Sequence, residues 1–459
     1  MAKRKARGVL ERYADVPTAA QRYEAGKALR VKAPRSAHAV WETTSRRDPI
    51  ALFIEFNKTR LPELVPIRYG RMASSPFAFF RGSAVLMAHD LSSTPVSGIK
   101  AQICGDAHLA NFGLFATPER NVIFDVNDFD ETLRGPWEWD LKRLAASCFM
   151  AARGNGLRRR QSREIAQFAA LHYRTQMISL AKLGYLDVWY SRLDVRTALA
   201  IVPRSYANAA KHEQRASIQR TTHHGFPSFV VRKGGTFRIQ DEAPLVTHLS
   251  DPERARRLVQ DVIRYRDTLE SDRQLLLSRY HIVDFATKVV GVGSVGTRCY
   301  VALLMGRDKN DPLLLQIKEA QASVLERYVG RSRYANHGER VVHGQRLMQA
   351  ASDMFLGWAR GLHYDYYVRQ MRDMKYSAAV QTMNRRDLAE YAALCGRTLA
   401  RAHARSGDPS MIAGYLGNGD ALDRALGEFA ESYAAQNEQD YDALLEAIRT
   451  KRIKASHNL

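Results

Sequence analysis

The stretch with the tightest hold on the architecture is residues 281–320, HIVDFATKVVGVGSVGTRCYVALLMGRDKNDPLLLQIKEA. Three apolar runs of strand length are separated by turn residues, first Gly291, Gly293, Ser294 and Gly296, then residues 308–312. A G-x-G-x-x-G pattern by itself points to a dinucleotide fold, but that reading needs a helix straight after the glycines. Here TRCYVALLM follows, β-branched and aromatic enough to favour a strand. The segment therefore reads as strand, glycine-rich turn, strand, with Lys318 on a third strand in LLLQIKEA.

A second stretch carries chemistry. Residues 102–131 read QICGDAHLANFGLFATPERNVIFDVNDFDE: Asp106, then Asn111 five residues later, then an acidic D-F-D after a strand-like run. A short loop can turn Asp106 and Asn111 toward one point, and a hairpin can return Asp128 beside them. Phosphoryl transfer needs positioned charge more than covalent help, so carboxylates, an amide and Mg²⁺ suffice for much of it. In that chemistry Asp106 orients or deprotonates an attacking hydroxyl. Asn111 and Asp128 hold a metal on nucleotide phosphates, and Asp130 is a supporting or second-metal ligand.

These residues carry a resemblance. GDAHLAN is similar to the catalytic loop H-G-D-x-H-x-x-N of the aminoglycoside phosphotransferase and choline kinase group, and VNDFDE to that group's metal-binding strand end. GPWEWDLKRLAAS resembles the segment there in which an Asp opens a helix and braces the loop, which assigns Asp140 a structural role. His108 matches the group's second His, a loop support, while Cys104 stands where the first usually sits. The resemblance extends to the later segment. Strand, glycine-rich turn, strand is the phosphate-covering hairpin of kinases, so residues 291–296 and Lys318 are expected to contact the triphosphate. A kinase lysine is usually held by a Glu; Glu319 alternates to the other strand face, leaving Glu326 and Glu339, with Glu326 taken first. The chain as a whole also resembles an uncharacterised bacterial family, a domain of unknown function, which implies no substrate.

The order of these parts is inverted, since in kinases the hairpin and lysine come before the catalytic loop. One reading is coincidence, two look-alike motifs in an unrelated helical protein. The other, adopted here, is an α+β, protein-kinase-like bilobal fold in circularly permuted form. It divides the chain into a basic N-terminal arm (1–45), a helical lobe with the catalytic loop and metal segment (46–280), a small β-rich nucleotide lobe (281–375) and C-terminal helices completing the large lobe (376–459). Two runs near residues 354–375 read as further strands and a hinge. A helix follows from Asn384 with Leu388, Tyr391, Cys395, Leu399 and Ala402 on one stripe.

Composition narrows the class. In 459 residues, 45% are hydrophobic, an ordinary share for a globular core, and no run has the length of a membrane span. The basic start MAKRKARGVLERYAD lacks an apolar core behind it. Four cysteines far apart, Cys104, Cys148, Cys299 and Cys395, suit buried reduced thiols. Together these features point to a cytoplasmic protein. The net charge of +21 fits either an arginine-rich solvated surface or an anionic partner: nucleotide, phosphorylated metabolite, acidic protein or nucleic acid. Arg68, Arg71 and Arg81, around Phe77, Phe79 and Phe80, suit an apolar plug with solvated arginines, or a clamp on substrate phosphate or carboxylate. The expected activity is ATP- and Mg²⁺-dependent phosphoryl transfer to a hydroxyl-bearing small molecule. The alternatives are AMP transfer from a flipped nucleotide, and a non-catalytic basic protein binding nucleic acid or an acidic partner.

Overall fold

The structure, a computed structural model, describes residues 16–41, 47–193, 229–249, 251–289, 291, 293–308, 311–371 and 378–456. It is a mixed α+β protein. The hinge expected after residue 371 lies outside the described residues, as do the first fifteen residues of the basic arm.

Two small antiparallel ladders shape the first chemistry-bearing region. β1 (Lys100–Ile103) runs into the loop 104–111, which feeds β2 (Phe112–Ala116); β3 (Val122–Val126) leads through residues 127–132 into β4 (Leu133–Pro136). β2 pairs with β3, with Phe112 opposite Val126, and β1 pairs with β4, with Ile103 opposite Leu133. Both loops are thus pinned at both ends by the same two ladders, so residues 104–111 must lie against residues 127–132. Alternating apolar side chains hold the ladders down: Phe112, Leu114, Phe124 and Val126 all belong to the main core.

β5 (Val230–Lys233) and β6 (Thr236–Ile239) form a hairpin turned by Gly234 and Gly235, both at positive φ. The larger sheet has the order β11-β12-β10-β9-β8-β7 and is antiparallel throughout. Its members are β7 (Val246–His248), β8 (His281–Lys288), β9 (Cys299–Met305), β10 (Pro312–Ala320), β11 (Gly357–Arg360) and β12 (Asp365–Gln370). The run at 281–320 supplies β8, β9 and β10, with the glycine-rich turn between the first two. Tyr300, Ala302 and Leu304 of β9 pack into one apolar cluster, and Val301 and Leu303 into another on the opposite face. Because both faces are covered, the strand reads as an unbroken apolar run rather than an alternation.

The helical body centres on Trp137–Gly154, buried all round from Trp137 to Ala152. Around it lie Arg159–Leu180, Arg385–Ser406 and Ala421–Arg449. Asn384 caps the second of these through the Asp387 amide at 3.0 Å, and Leu388, Tyr391, Cys395, Leu399 and Ala402 are buried along it. One continuous core joins residues between 77 and 188 to residues between 320 and 434. Of the basic stretch, helix Ala19–Ala28 packs against Pro409–Leu416 so closely that a Cβ on Gly26 would lie 2.0 Å from the Met411 carbonyl oxygen. All four cysteines are buried free thiols. Among the described residues no helix is long and apolar enough to cross a membrane.

Candidate functional site

The loop 104–111 is held by its backbone. Gly105 has φ +80°, and a Cβ there would lie 2.5 Å from the Glu131 carbonyl oxygen, so the position demands glycine. Asp140, in the first turn of the central helix, accepts hydrogen bonds from the amides of Cys104 (2.8 Å) and Gly105 (2.9 Å). His403, from the distant helix Arg385–Ser406, places Nε2 3.2 Å from the Asp140 carboxylate and Nδ1 2.8 Å from the Tyr173 hydroxyl. A distant imidazole thus supports the carboxylate that braces the loop.

Asp106 accepts from Arg143 Nε at 2.7 Å. Burial lifts its pKa above the ordinary carboxylate value, against the pull of Arg143 and with help from the nearby Asp128 charge. His108 is buried with Nε2 3.7 Å from Asp106; burial first, then Arg143, holds its pKa well below normal, so it is neutral. Asn111 spends its Nδ2 on the Asp106 carbonyl oxygen at 2.8 Å, which leaves the amide oxygen as its ligand atom.

Asp128 and Asp130 sit on the facing loop, and here the two distant segments meet. Asp130 accepts from the Lys318 ammonium, from the Tyr367 hydroxyl (2.8 Å) and from the Ser294 hydroxyl (3.2 Å). Lys318 Nζ also lies 4.0 Å from Asp128. Register accounts for the convergence, since Lys318 pairs with Tyr367 across β10 and β12 and both side chains leave on one face. Burial opposes the lysine's charge, yet Asp128 and Asp130 raise its pKa above the usual value. Burial likewise opposes the Asp130 carboxylate, and Lys318 brings its pKa below normal. Asp128 is the more open carboxylate, 34% exposed.

The glycine-rich turn is tied down rather than free. Arg60 donates to the carbonyl oxygens of Val295 and Gly293, the Leu61 amide donates to the Gly296 carbonyl at 2.8 Å, and Gly296 sits at φ +93° over the Arg60 side chain. Gly293 and Ser294 line a cleft together with Asp106, Asp128, Asp130, Glu131, Arg60, Arg68 and Arg81. Gly291, Gly296, Asn111 and Lys318 stand outside its immediate lining. Arg71 does not reach this cleft; it lines the neighbouring pocket, which shares Arg81.

Glu326 requires a correction. It does not hold Lys318; its carboxylate faces Arg340 Nε at 3.9 Å, in the one-turn helix Glu326–Val329. Arg340 in turn donates to the carbonyls of Asp130, Thr132 and Gln321, and so fixes the turn that carries Asp130. Lys318 has its carboxylates directly opposite and needs no helix glutamate. Glu339 lies 3.8 Å from His343, and Glu319 faces Arg298 at 3.1 Å on the other side of its strand. Sequence reasoning passed over Arg143, Arg340, Tyr367, Arg60 and His403. Arg143 left a signal, standing three residues after Asp140 on one helix face; the others meet the site only through tertiary structure.

Among the described residues no three His, Cys, Asp or Glu side chains form a closed metal cage. Magnesium does not require one, since it is commonly held by one or two carboxylates with the rest of its sphere from phosphates and water. The open carboxylate of Asp128 and the oxygen of Asn111 suit that donor set. A family model described as an uncharacterized protein conserved in bacteria (DUF2252) matches residues 60–447. No curated protein and no solved structure matches the chain.

Proposed function

The chain belongs to this bacterial family, and we propose that it is an ATP- and Mg²⁺-dependent phosphotransferase with a kinase-like fold in permuted order. The observation that carries the reading is the meeting of Lys318 and Ser294 with Asp130 and Asp128, across 188 residues of sequence in the case of Lys318 and Asp130. Coincident look-alike motifs have no reason to meet side chain to side chain.

In this reading Lys318 shares its charge between Asp130 and the nucleotide phosphates, and the turn at Gly293 and Ser294 covers them. Asp128 and Asn111 would hold Mg²⁺, which supplies charge neutralisation at the phosphates when bound. Asp106 aligns the acceptor hydroxyl. Its oxygen forms a bond to the γ-phosphorus, the bond from that phosphorus to the bridging oxygen breaks, and ADP leaves with the electron pair. The hydroxyl proton passes to Asp106, whose raised pKa suits the task. Arg143 fixes the carboxylate, and Asp140 with His403 fixes the loop beneath it.

Thermal shift with ATP and Mg²⁺, separately and together, tests this. A ligand at 100 times its Kd adds about 2.7 kcal/mol to native stability. Wild type should show a rise that needs both components, and Asp128→Ala and Lys318→Ala should lose the ligand-induced part whatever their own melting points. No rise with ATP, GTP or their diphosphates removes the proposal. The mass added to an acceptor separates phosphoryl from adenylyl transfer.

A further inference from the structure

The arginines in and beside the cleft are not equivalent. Arg60 is occupied by the turn carbonyls of Gly293 and Val295. Arg68, 1% exposed, is held by the Gly82 carbonyl (2.7 Å) and Met72 Sδ (2.9 Å), with its guanidinium over Phe53 and Phe56. Arg143 is occupied by Asp106 and the Phe80 carbonyl. Arg81 differs from all three. Its side chain makes no hydrogen bond and no ion pair within 4.0 Å among the described residues, the Asp106 charge acting on it only from farther away, and its Nε, like those of Arg60 and Arg68, is buried with nothing to donate to. A guanidinium N–H withdrawn from water without a partner is costly, and the half-buried group's five donors match a carboxylate or phosphate edge.

Its position is equally specific. Arg81 lines the cleft with Asp106, Asp128 and Asp130, and it also lines the adjoining pocket with Arg71, Ser74, Ser75 and Gln381. Asp128 and Asp130 line the first space only. The second space shares Arg81 with the first and is lined by a second arginine, three serines and an amide.

We propose that Arg81 marks the acceptor subsite, and that the acceptor is a small hydroxylated anion whose carboxylate or phosphate lies on Arg81 while its hydroxyl reaches Asp106. The proposal rests on the phosphotransferase reading above and names the substrate class of that site. The acceptor oxygen bonds to the γ-phosphorus of ATP, ADP departs, and the anionic group of the acceptor takes no part in the exchange. It orients, which is how remote binding contributes to a transfer reaction.

The test is ligand-observed NMR titration of the full chain saturated with Mg²⁺ and a non-hydrolysable ATP analogue. The probes are glycerol 3-phosphate, glycerate and glycerol, in constant chloride. Wild type should bind one or both anionic probes at least tenfold more tightly than glycerol; which one tells phosphate from carboxylate. Arg81→Gln should bring the anions to the level of glycerol while nucleotide affinity stays within twofold, and Arg81→Lys should retain part of the preference. The lysine variant also serves if the glutamine variant does not fold. Nucleotide binding without anion preference overturns the acceptor assignment alone. Loss of nucleotide and anion together in a folded Arg81 variant overturns it by giving Arg81 to the nucleotide. No nucleotide binding by wild type overturns the assignment along with the phosphotransferase reading.

Discussion

Replacing Lys318 with methionine tests the centre without any ligand. The Lys318 side chain is 4% exposed and its ammonium is in direct contact with Asp130, whose side chain is 28% exposed. Removing one partner of a buried pair typically costs about 3–5 kcal/mol because the other charge is stranded. Asp130 keeps its bonds from Tyr367 and Ser294 and some solvent, so the lower end applies, about 3 kcal/mol. At roughly 2 °C per kcal/mol for a large chain, the melting point should fall by about 6 °C. The sign of the pH effect follows from the shift. The pKa of Asp130 in the folded protein is below its unfolded value, so its contribution is present above the unfolded value near ~3.9 and is lost as pH falls through the folded one. Without Lys318, burial dominates and lifts that pKa, so acidification relieves the variant. The stability gap between the two proteins should therefore narrow from pH 7.5 to pH 4.5. Urea denaturation of wild type, Lys318→Met, Asp130→Asn and the double variant measures the gap and a coupling of at least ~2 kcal/mol. A gap below ~1 kcal/mol, or one equal at both pH values with no coupling, would refute the pairing.

Lys142, fully buried with no hydrogen-bond partner for Nζ, has its pKa lowered by burial to about 7 against the pull of Glu138. The unfolded chain binds that proton up to pH ~10.4, so wild-type stability should rise from pH 7 to 10; Lys142→Met should flatten this slope and add ~1–4 kcal/mol at pH 7 by urea titration. Gly296→Ala, forced to φ +93° with its Cβ 3.0 Å from Arg60, should cost ~1–3 kcal/mol in the same assay; a neutral result would mean the turn relaxes freely. His403→Ala strips Asp140 and Tyr173 of a shared partner. Hydrogen exchange should show the Cys104 and Gly105 amides opening faster, and unchanged protection would show that Asp140 holds the loop alone.

How much of this was legible depends on how local each cause is. The strands of 281–320 and the glycine turn follow from composition within a few residues, and they are where the sequence places them. Asp140 was legible as a brace only through the resemblance of GPWEWDLKRLAAS to a known segment; its partners, the amides of Cys104 and Gly105, carry no pattern of their own. Glu326 was misassigned because choosing a lysine's partner needs the direction of a short helix, which no pattern encodes. The lysine found Asp130 instead because β1–β4 and β2–β3 fold the acidic loop under the sheet. His403 was invisible for another reason. On a stripe that already reads as core, a buried imidazole 263 residues from its carboxylate carries no local mark. The same holds for Arg60, whose role as a clamp exists only once the turn it grips is formed.

The separation between Lys318 and Asp130 also sets a timetable. Ribosomes add about 5–20 residues per second, so the 188 residues between these two emerge on the order of ten seconds or more after the acidic loop. The brace waits longer still, since His403 follows Asp140 by 263 residues. During that interval the loop's carboxylates have neither their lysine nor their imidazole, and the apolar surface that residues 320–434 will cover is open to water. A nascent chain halted before residue 318 therefore leaves that apolar surface uncovered. Contacts of such range also make refolding of the released chain slow. An order that places Lys318 and His403 so far behind their carboxylates leaves this cluster among the last parts of the chain to be assembled.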